Sequence, residues 1–284
     1  MTERQSHLRV AAISWFVALV ALAGGFLAAR AVGSSSPEFK GSGLCKFALH
    51  GFALTPQSET SINQAVEQLI ERHEAAFGFR RSPDFRLTMR VYNRFEDFTN
   101  SPGMRDQTNL QGVYVSRTKE IVTFRQEMTR LSLGITLLHE ASHAILDQHF
   151  RRLQPWLAEG AADYFALVLA RNSLTTNLLH RRTARLKLWL ADGKLPKLAE
   201  VLNATHEQWT AINPEQAYAV SWSIVQFLMS SDSNRRVMNA MFWEWQELRA
   251  WDVDCAEQLE RLYPSGLKAF ETAWRHWIER APGR

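Results

Sequence analysis

Cysteine is scarce in this 284-residue chain: Cys45 and Cys255 are the only two, and they form no CxxC pair. That excludes a disulfide scaffold, a thiolate metal cage and a dithiol redox motif. Charge of one sign is scarce as well. The 33 Lys and Arg against 29 Asp and Glu leave a net charge of +4, scattered along the chain without a basic stripe. Nucleic acid is therefore not the implied partner. Neither an internal repeat nor a long biased tract is present beyond the N-terminus. With 46% hydrophobic and 22% charged residues the composition is that of a globular protein, not a disordered or fibrous one.

Long apolar runs are missing everywhere except at one end. Val10 to Ala29 (VAAISWFVALVALAGGFLAA) carries no charge, and as a helix it would cross a hydrocarbon core about 30 Å thick. Arg4 and Arg9 precede it and Ala29-Arg30-Ala31 follows, so it reads as an uncleaved anchor or a cleavable signal sequence. Length favours the anchor, because cleavable apolar cores usually run about 7–15 residues; a buried helix of a soluble domain is the third reading. Arg30, Lys40 and Lys46 beyond the segment balance Arg4 and Arg9 before it, so positive charge alone barely orients it. The expectation is residues 1–31 as transmembrane anchor or signal, 32–45 as a flexible linker, and 46–284 as one domain outside the cytoplasm. Glycine and serine in GSSSPEFKGSG (33–43) suit the linker. In an oxidising exterior Cys45 and Cys255 could pair; two unpaired small residues are the equal alternative. Leu44 before Cys45 argues against lipid attachment there.

The domain divides by hydrophobic period. Phe47 to Leu54 and Arg86 to Tyr92 alternate as strands, Ser58 to Phe77 has helical spacing, and Phe95 to Phe98 reads as a helical turn. Gly112 to Ser116 and Glu120 to Phe124 form a hairpin pattern through Arg117-Thr118-Lys119. From Met128 onward the period is about 3.6. The fold class is α+β: a small mixed sheet with helices over 46–127, then a mostly helical part over 128–284. Met241, Trp245 and Leu248, like Phe270, Trp274 and Trp277, recur at helical spacing. They read as packed faces rather than a binding surface, with Trp at a bilayer interface as the alternative.

Within Leu131 to Phe150 stands His139-Glu140-Ala141-Ser142-His143, which belongs on a helix, with the short stretch Asp147 to Gln154 letting the next helix fold back against it. An i, i+4 pair of imidazoles on a helix lies about 40° apart and one turn along, so both reach one ion. Glu140 stands where a base would take a proton from the ion's water. The flanking Leu137, Leu138, Ala141, Ala144, Ile145 and Leu146 make the helix a buried one, and a buried His-Glu-His group needs a partner to offset its desolvation.

A catalytic zinc takes a third protein ligand and keeps one open position. His149, six residues after His143, has metzincin spacing, but Leu146 stands where that pattern has its helix-breaking glycine. On a continuous helix His149 leaves the face of His143, and it reads as a helix-end histidine favoured by the macrodipole. Glu159, in Pro155 to Phe165 (PWLAEGAADYF), shares a helical face with Asp163. One carboxylate can reach the ion while the other accepts the spare N–H of a ligand histidine.

HEASH followed by Trp156-Leu157-Ala158-Glu159-Gly160-Ala161-Ala162-Asp163 resembles the gluzincin metallopeptidases, more narrowly the peptidase-MA-like domains with a W-L-x-E-G-x-A motif. The resemblance runs from about Arg86 to Trp277, and its specific part is HExxH with WLAEG. It implies a zincin-like fold and one Zn²⁺ held by His139, His143 and Glu159. It further implies Glu140 as general base, Asp163 behind the metal on His139, and a peptide or protein as substrate. Gly112-Val113-Tyr114 with Glu120-Ile121-Val122 is similar to the strand pair whose edge accepts an extended peptide. The segments Leu195 to Leu202 and Ala217 to Leu228 are similar to the helices that follow such sites. Tyr218 is the implied oxyanion donor, with Tyr164 and His180 as weaker alternatives. The other class of reading is a zincin-fold binding or scaffolding module without turnover. An intact Glu140 separates the two, because a structural zinc site needs no base and closes with a fourth protein ligand.

Overall fold

The computed structural model describes residues 38–41, 43–105, 110–150, 153–170, 173–248 and 253–282. The expected membrane segment, Val10 to Ala29, lies outside them. Among the described residues no helix is long and apolar enough to cross a membrane. In chain order the elements are β1 (Cys45–His50), α1 (Pro56–Phe77), β2 (Leu87–Tyr92), α2 (Phe95–Thr99), β3 (Gly112–Val115) and β4 (Glu120–Phe124). Nine helices follow among the described residues: α3 (Arg130–Leu146), α4 (Pro155–Leu169), α5 (Ser173–Ala191), α6 (Leu198–Leu202), α7 (His206–Ala211), α8 (Pro214–Leu228), α9 (Asp232–Leu248), α10 (Cys255–Leu262) and α11 (Gly266–Arg280). The fold is α+β, with one small mixed sheet and a helical C-terminal part.

The sheet runs in the order β1-β2-β4-β3. β1, β2 and β4 are parallel, with α1 as the crossover between the first two, and β3 returns antiparallel as the free edge. Alternation decides its faces. Leu87, Met89 and Val91 of β2 join Phe47 and Ile121 in the main core against the helices, while Tyr92 and Val122 close a smaller core with Phe98 and Met104. α1 starts where Thr55 accepts the Ser58 N–H and ends at Gly78, whose φ of 76° few other residues adopt at low cost.

Behind the sheet, α3 is buried on nearly every side. Thr129 caps its start by accepting the Ser132 N–H. Its rear face is riveted to α1: Ser142 Oγ donates to His73 Nε2 at 2.7 Å, and His73 Nδ1 donates to the Leu69 carbonyl at 2.8 Å. α4 begins at Pro155 and crosses α8 so closely that Gly160 lies against the Ser221 backbone.

Several boundaries differ from the sequence reading. The first strand stops at His50 instead of Leu54, because Gly51 at φ 79° turns the chain out of the sheet. The expected linker overlaps the sheet, since Lys40 pairs with Phe47 and Cys45 already belongs to β1. The helix carrying His139 and His143 ends at Leu146 with Asp147 as its cap, where the connecting stretch was expected to begin. Both cysteines are free and buried, so the pairing alternative falls; burial pushes both thiols up to about 12. Met241, Trp245, Phe270 and Trp274 are core residues and Trp277 packs against them. The Leu248 side chain lies outside the described residues, and Trp243, not part of that stripe, is 63% exposed.

Candidate metal centre

Helical spacing stacks His139 over His143, and the turn between α3 and α4 brings Glu159 of the second helix against both. His139 Nε2 lies 3.2 Å from His143 Nε2 and 3.2 Å from Glu159 Oε2, and His143 Nε2 lies 3.6 Å from Glu159 Oε1. Donors bound tetrahedrally at about 2.0–2.1 Å stand roughly 3.3–3.4 Å apart, so these edges fit one ion. Two imidazole nitrogens at 3.2 Å also cannot both present bare lone pairs; a proton or a cation must lie with them. The three residues form a group that could hold a metal ion.

The surrounding charges reinforce the cluster. Asp163 Oδ1 lies 3.1 Å from His139 Nδ1, and its Oδ2 accepts from Arg182 at 2.8 Å. Burial opposes ionisation of Asp163, but the Arg182 guanidinium and His139 outweigh it and hold the carboxyl below the usual range. Burial likewise opposes protonation of His139, yet its bonds to Asp163 and Glu159 raise it well above the ordinary histidine value. Glu159 is lowered against its own burial by the two histidines. The fixed orientation this gives His139, Nδ1 toward Asp163 and Nε2 toward Glu159, is the one a metal-bound imidazole requires.

Glu140 lies on the side of α3 that meets β3. Its Oε2 accepts the Tyr114 backbone N–H at 2.7 Å, and burial raises its pKa against the pull of His139 and His143. The approach depends on Gly112, where a Cβ would stand 2.7 Å from Thr136 Cγ2 and 3.4 Å from Glu140 Cγ. Gly112→Ala is expected to cost about 1–3 kcal/mol by overpacking β3 against α3, read as a fall in the urea midpoint. An unchanged midpoint would show that the two elements can part freely.

Tyr218 on α8 completes the wall. Its ring centroid is 6.5 Å from that of His139, and Trp209 packs edge-on at 4.9 Å. Burial, then the charges of Glu159, Asp163 and Glu140, raise its pKa, so the phenol stays a donor at neutral pH. The weaker candidates lie elsewhere. Tyr164 packs on Phe165, and His180 is not among the clustered donors. His149 follows the end of α3 and stacks on Phe79 at 3.9 Å. Burial lowers its pKa, which keeps it neutral and removes the expected attraction to the helix dipole.

Two contributors have no signal in the sequence reading. Arg182 is one of several basic residues on α5, and only the packing of α5 beside Asp163 and over Trp222, at 5.5 Å, sets it apart. His73 sits 69 positions before its partner Ser142, on a helix with no motif. Compared with known protein families and with curated proteins, the chain matches none.

Proposed function

We propose that this chain is a zinc-dependent metallopeptidase of the gluzincin type acting outside the cytoplasm, anchored by its N-terminal segment or exported where that segment is cleaved. The observation that carries the reading is the convergence of His139 Nε2, His143 Nε2 and the Glu159 carboxylate within 3.2–3.6 Å. HEASH, WLAEG and the Asp163 carboxylate behind His139 support it. A nitrogen, nitrogen, oxygen donor set with one carboxylate suits zinc. When bound, zinc would polarise the scissile carbonyl and acidify a water molecule.

The protein residues do the rest. Glu140 takes the water proton and later delivers it to the leaving amine, and its raised pKa brings it closer to the pH at which it must do both. Tyr218 stabilises the oxyanion by donating its hydroxyl proton in a hydrogen bond. Asp163 keeps the His139 ring from turning. The free edge of β3 offers backbone groups to an extended peptide.

The test is the metal content of the full chain. Wild type and Glu140→Gln are expected to carry one zinc per chain, and His143→Ala and Glu159→Gln to lose it or bind at least tenfold more weakly. Zinc at about a hundredfold excess over its Kd should stabilise wild type by about 2.7 kcal/mol. Wild type that takes up no zinc, with no rise in melting temperature, overturns the reading. Zinc uptake with no cleavage of any peptide by wild type would move the assignment to the binding module.

A further inference from the structure

The β3–β4 hairpin meets the metal-bearing helix at two points two turns apart. At the first, the Tyr114 backbone N–H donates to Glu140 Oε2 at 2.7 Å. At the second, the Tyr114 hydroxyl donates to Asp147 Oδ2 at 2.7 Å. Asp147 also receives the Ser116 hydroxyl at 3.0 Å and the Lys119 ammonium. Three side chains of one hairpin therefore converge on a single carboxylate at the end of α3.

Local preferences oppose this arrangement on both sides. A carboxylate at a helix C-terminus is disfavoured by the macrodipole, yet Asp147 caps α3. Lys119 adopts φ 57°, a left-handed conformation that favours glycine or asparagine. A contact kept at the expense of helix and turn chemistry marks a position set by the tertiary site. What it holds is the edge-strand amide beside Glu140. Among the described residues that amide is the one hydrogen-bond partner of the Glu140 carboxylate, with Oε1 left free. A backbone donor has no rotamer of its own, so its direction is set by where β3 is pinned.

We propose that Tyr114 is a positioning residue for Glu140, its ring anchored by Asp147 so that its backbone N–H aims the carboxylate. The proposal rests on the reading of Glu140 as general base. Tyr114→Phe keeps the ring and the amide and removes only the bond to Asp147, so it is the cleanest variant; Asp147→Asn is the partner test. Ser116→Ala serves as a control that trims one contact.

The experiment has two arms on the full chain. In the metal-free protein, hydrogen exchange of the peptide covering β3 is expected to speed up about tenfold in Tyr114→Phe and Asp147→Asn, and less than threefold in Ser116→Ala. In the protein loaded with Co²⁺, the pH profile of the visible absorption should move in both variants toward that of Glu140→Gln. A defect that leaves Glu140 in place would not shift that profile. Unchanged exchange overturns the anchor, and faster exchange with an unmoved profile overturns the positioning role. Failure of wild type to bind Co²⁺ or zinc would overturn the peptidase reading and with it the role of base, while the exchange arm still decides whether Asp147 pins β3.

Discussion

Gly160→Ala is expected to destabilise the protein by about 2 kcal/mol or more and to weaken metal binding. In an exposed helix the same change would stabilise by about 1 kcal/mol, since alanine is the better helix former. Here a Cβ would stand 2.5 Å from the Ser221 carbonyl oxygen, 2.8 Å from its carbon and 2.9 Å from Val225 Cγ2. Two of those atoms are backbone and cannot rotate away. α4 and α8 must part, and overpacking of this kind costs typically 1–3 kcal/mol and occasionally more. The damage falls on the site, because Glu159 is the neighbour of Gly160 and Tyr218 lies on the helix pushed away. Urea denaturation with a zinc titration checks both effects. A variant more stable than wild type would mean that the close crossing of α4 and α8 is absent.

Acid is expected to cost this protein stability through a residue far from any motif. His73 is fully buried, and burial first of all, with the neighbouring charge of His143, lowers its pKa from 6.5 to about 3 against the pull of the Leu69 carbonyl. Its geometry demands the neutral form: Nδ1–H donates to Leu69, so Nε2 must accept from Ser142. The sign follows from proton counting. Between about pH 6.5 and 3 the unfolded chain binds a proton at His73 that the folded chain refuses, so stability falls as pH falls, by about 1.4 kcal/mol per unit.

Other groups titrate in the same range. Glu159 and Asp163, both lowered, also lose their contribution on acidification, whereas His139, raised, contributes most below about pH 6.5 and loses it as pH rises through its folded value. His73→Gln isolates the term. Measured without metal between pH 6.5 and 4.5, wild type should lose about 2.3 kcal/mol more than the variant. Parallel slopes for the two proteins would mean that His73 is protonated in the fold. The consequence is local as well as global, since protonation breaks the bond to Ser142, which lies between Glu140 and His143.

Periodicity alone separated an α+β part from a helical part and placed β2, the hairpin and α4 close to their observed limits. Where a strand or helix end carries its own signal, as at Gly78 or Pro155, it was legible. The end of α3 carries no stop residue at Leu146 or Asp147, and only the expected connecting stretch from Asp147 to Gln154 marked it. Asp147 is instead engaged by Tyr114, Ser116 and Lys119 from the hairpin. The same distinction runs through the candidate centre. An i, i+4 histidine pair with Glu140 between is written into local helical geometry and needs no further information. That Glu159 meets the pair, that Arg182 backs Asp163, and that His149 turns to Phe79 depend on contacts between separate elements.

The amino-acid sequence by itself determined the fold class and the placing of His139, Glu140 and His143 on one buried helix, because both follow from contacts within a turn or two of the chain. Only the tertiary structure decided how closely the Glu159 carboxylate, already named by the resemblance, approaches the imidazoles, why residue 160 must be glycine and how β3 comes to hold the Glu140 carboxylate. Those are contacts between residues 20 to 61 positions apart, which spacing along one helix or strand does not encode.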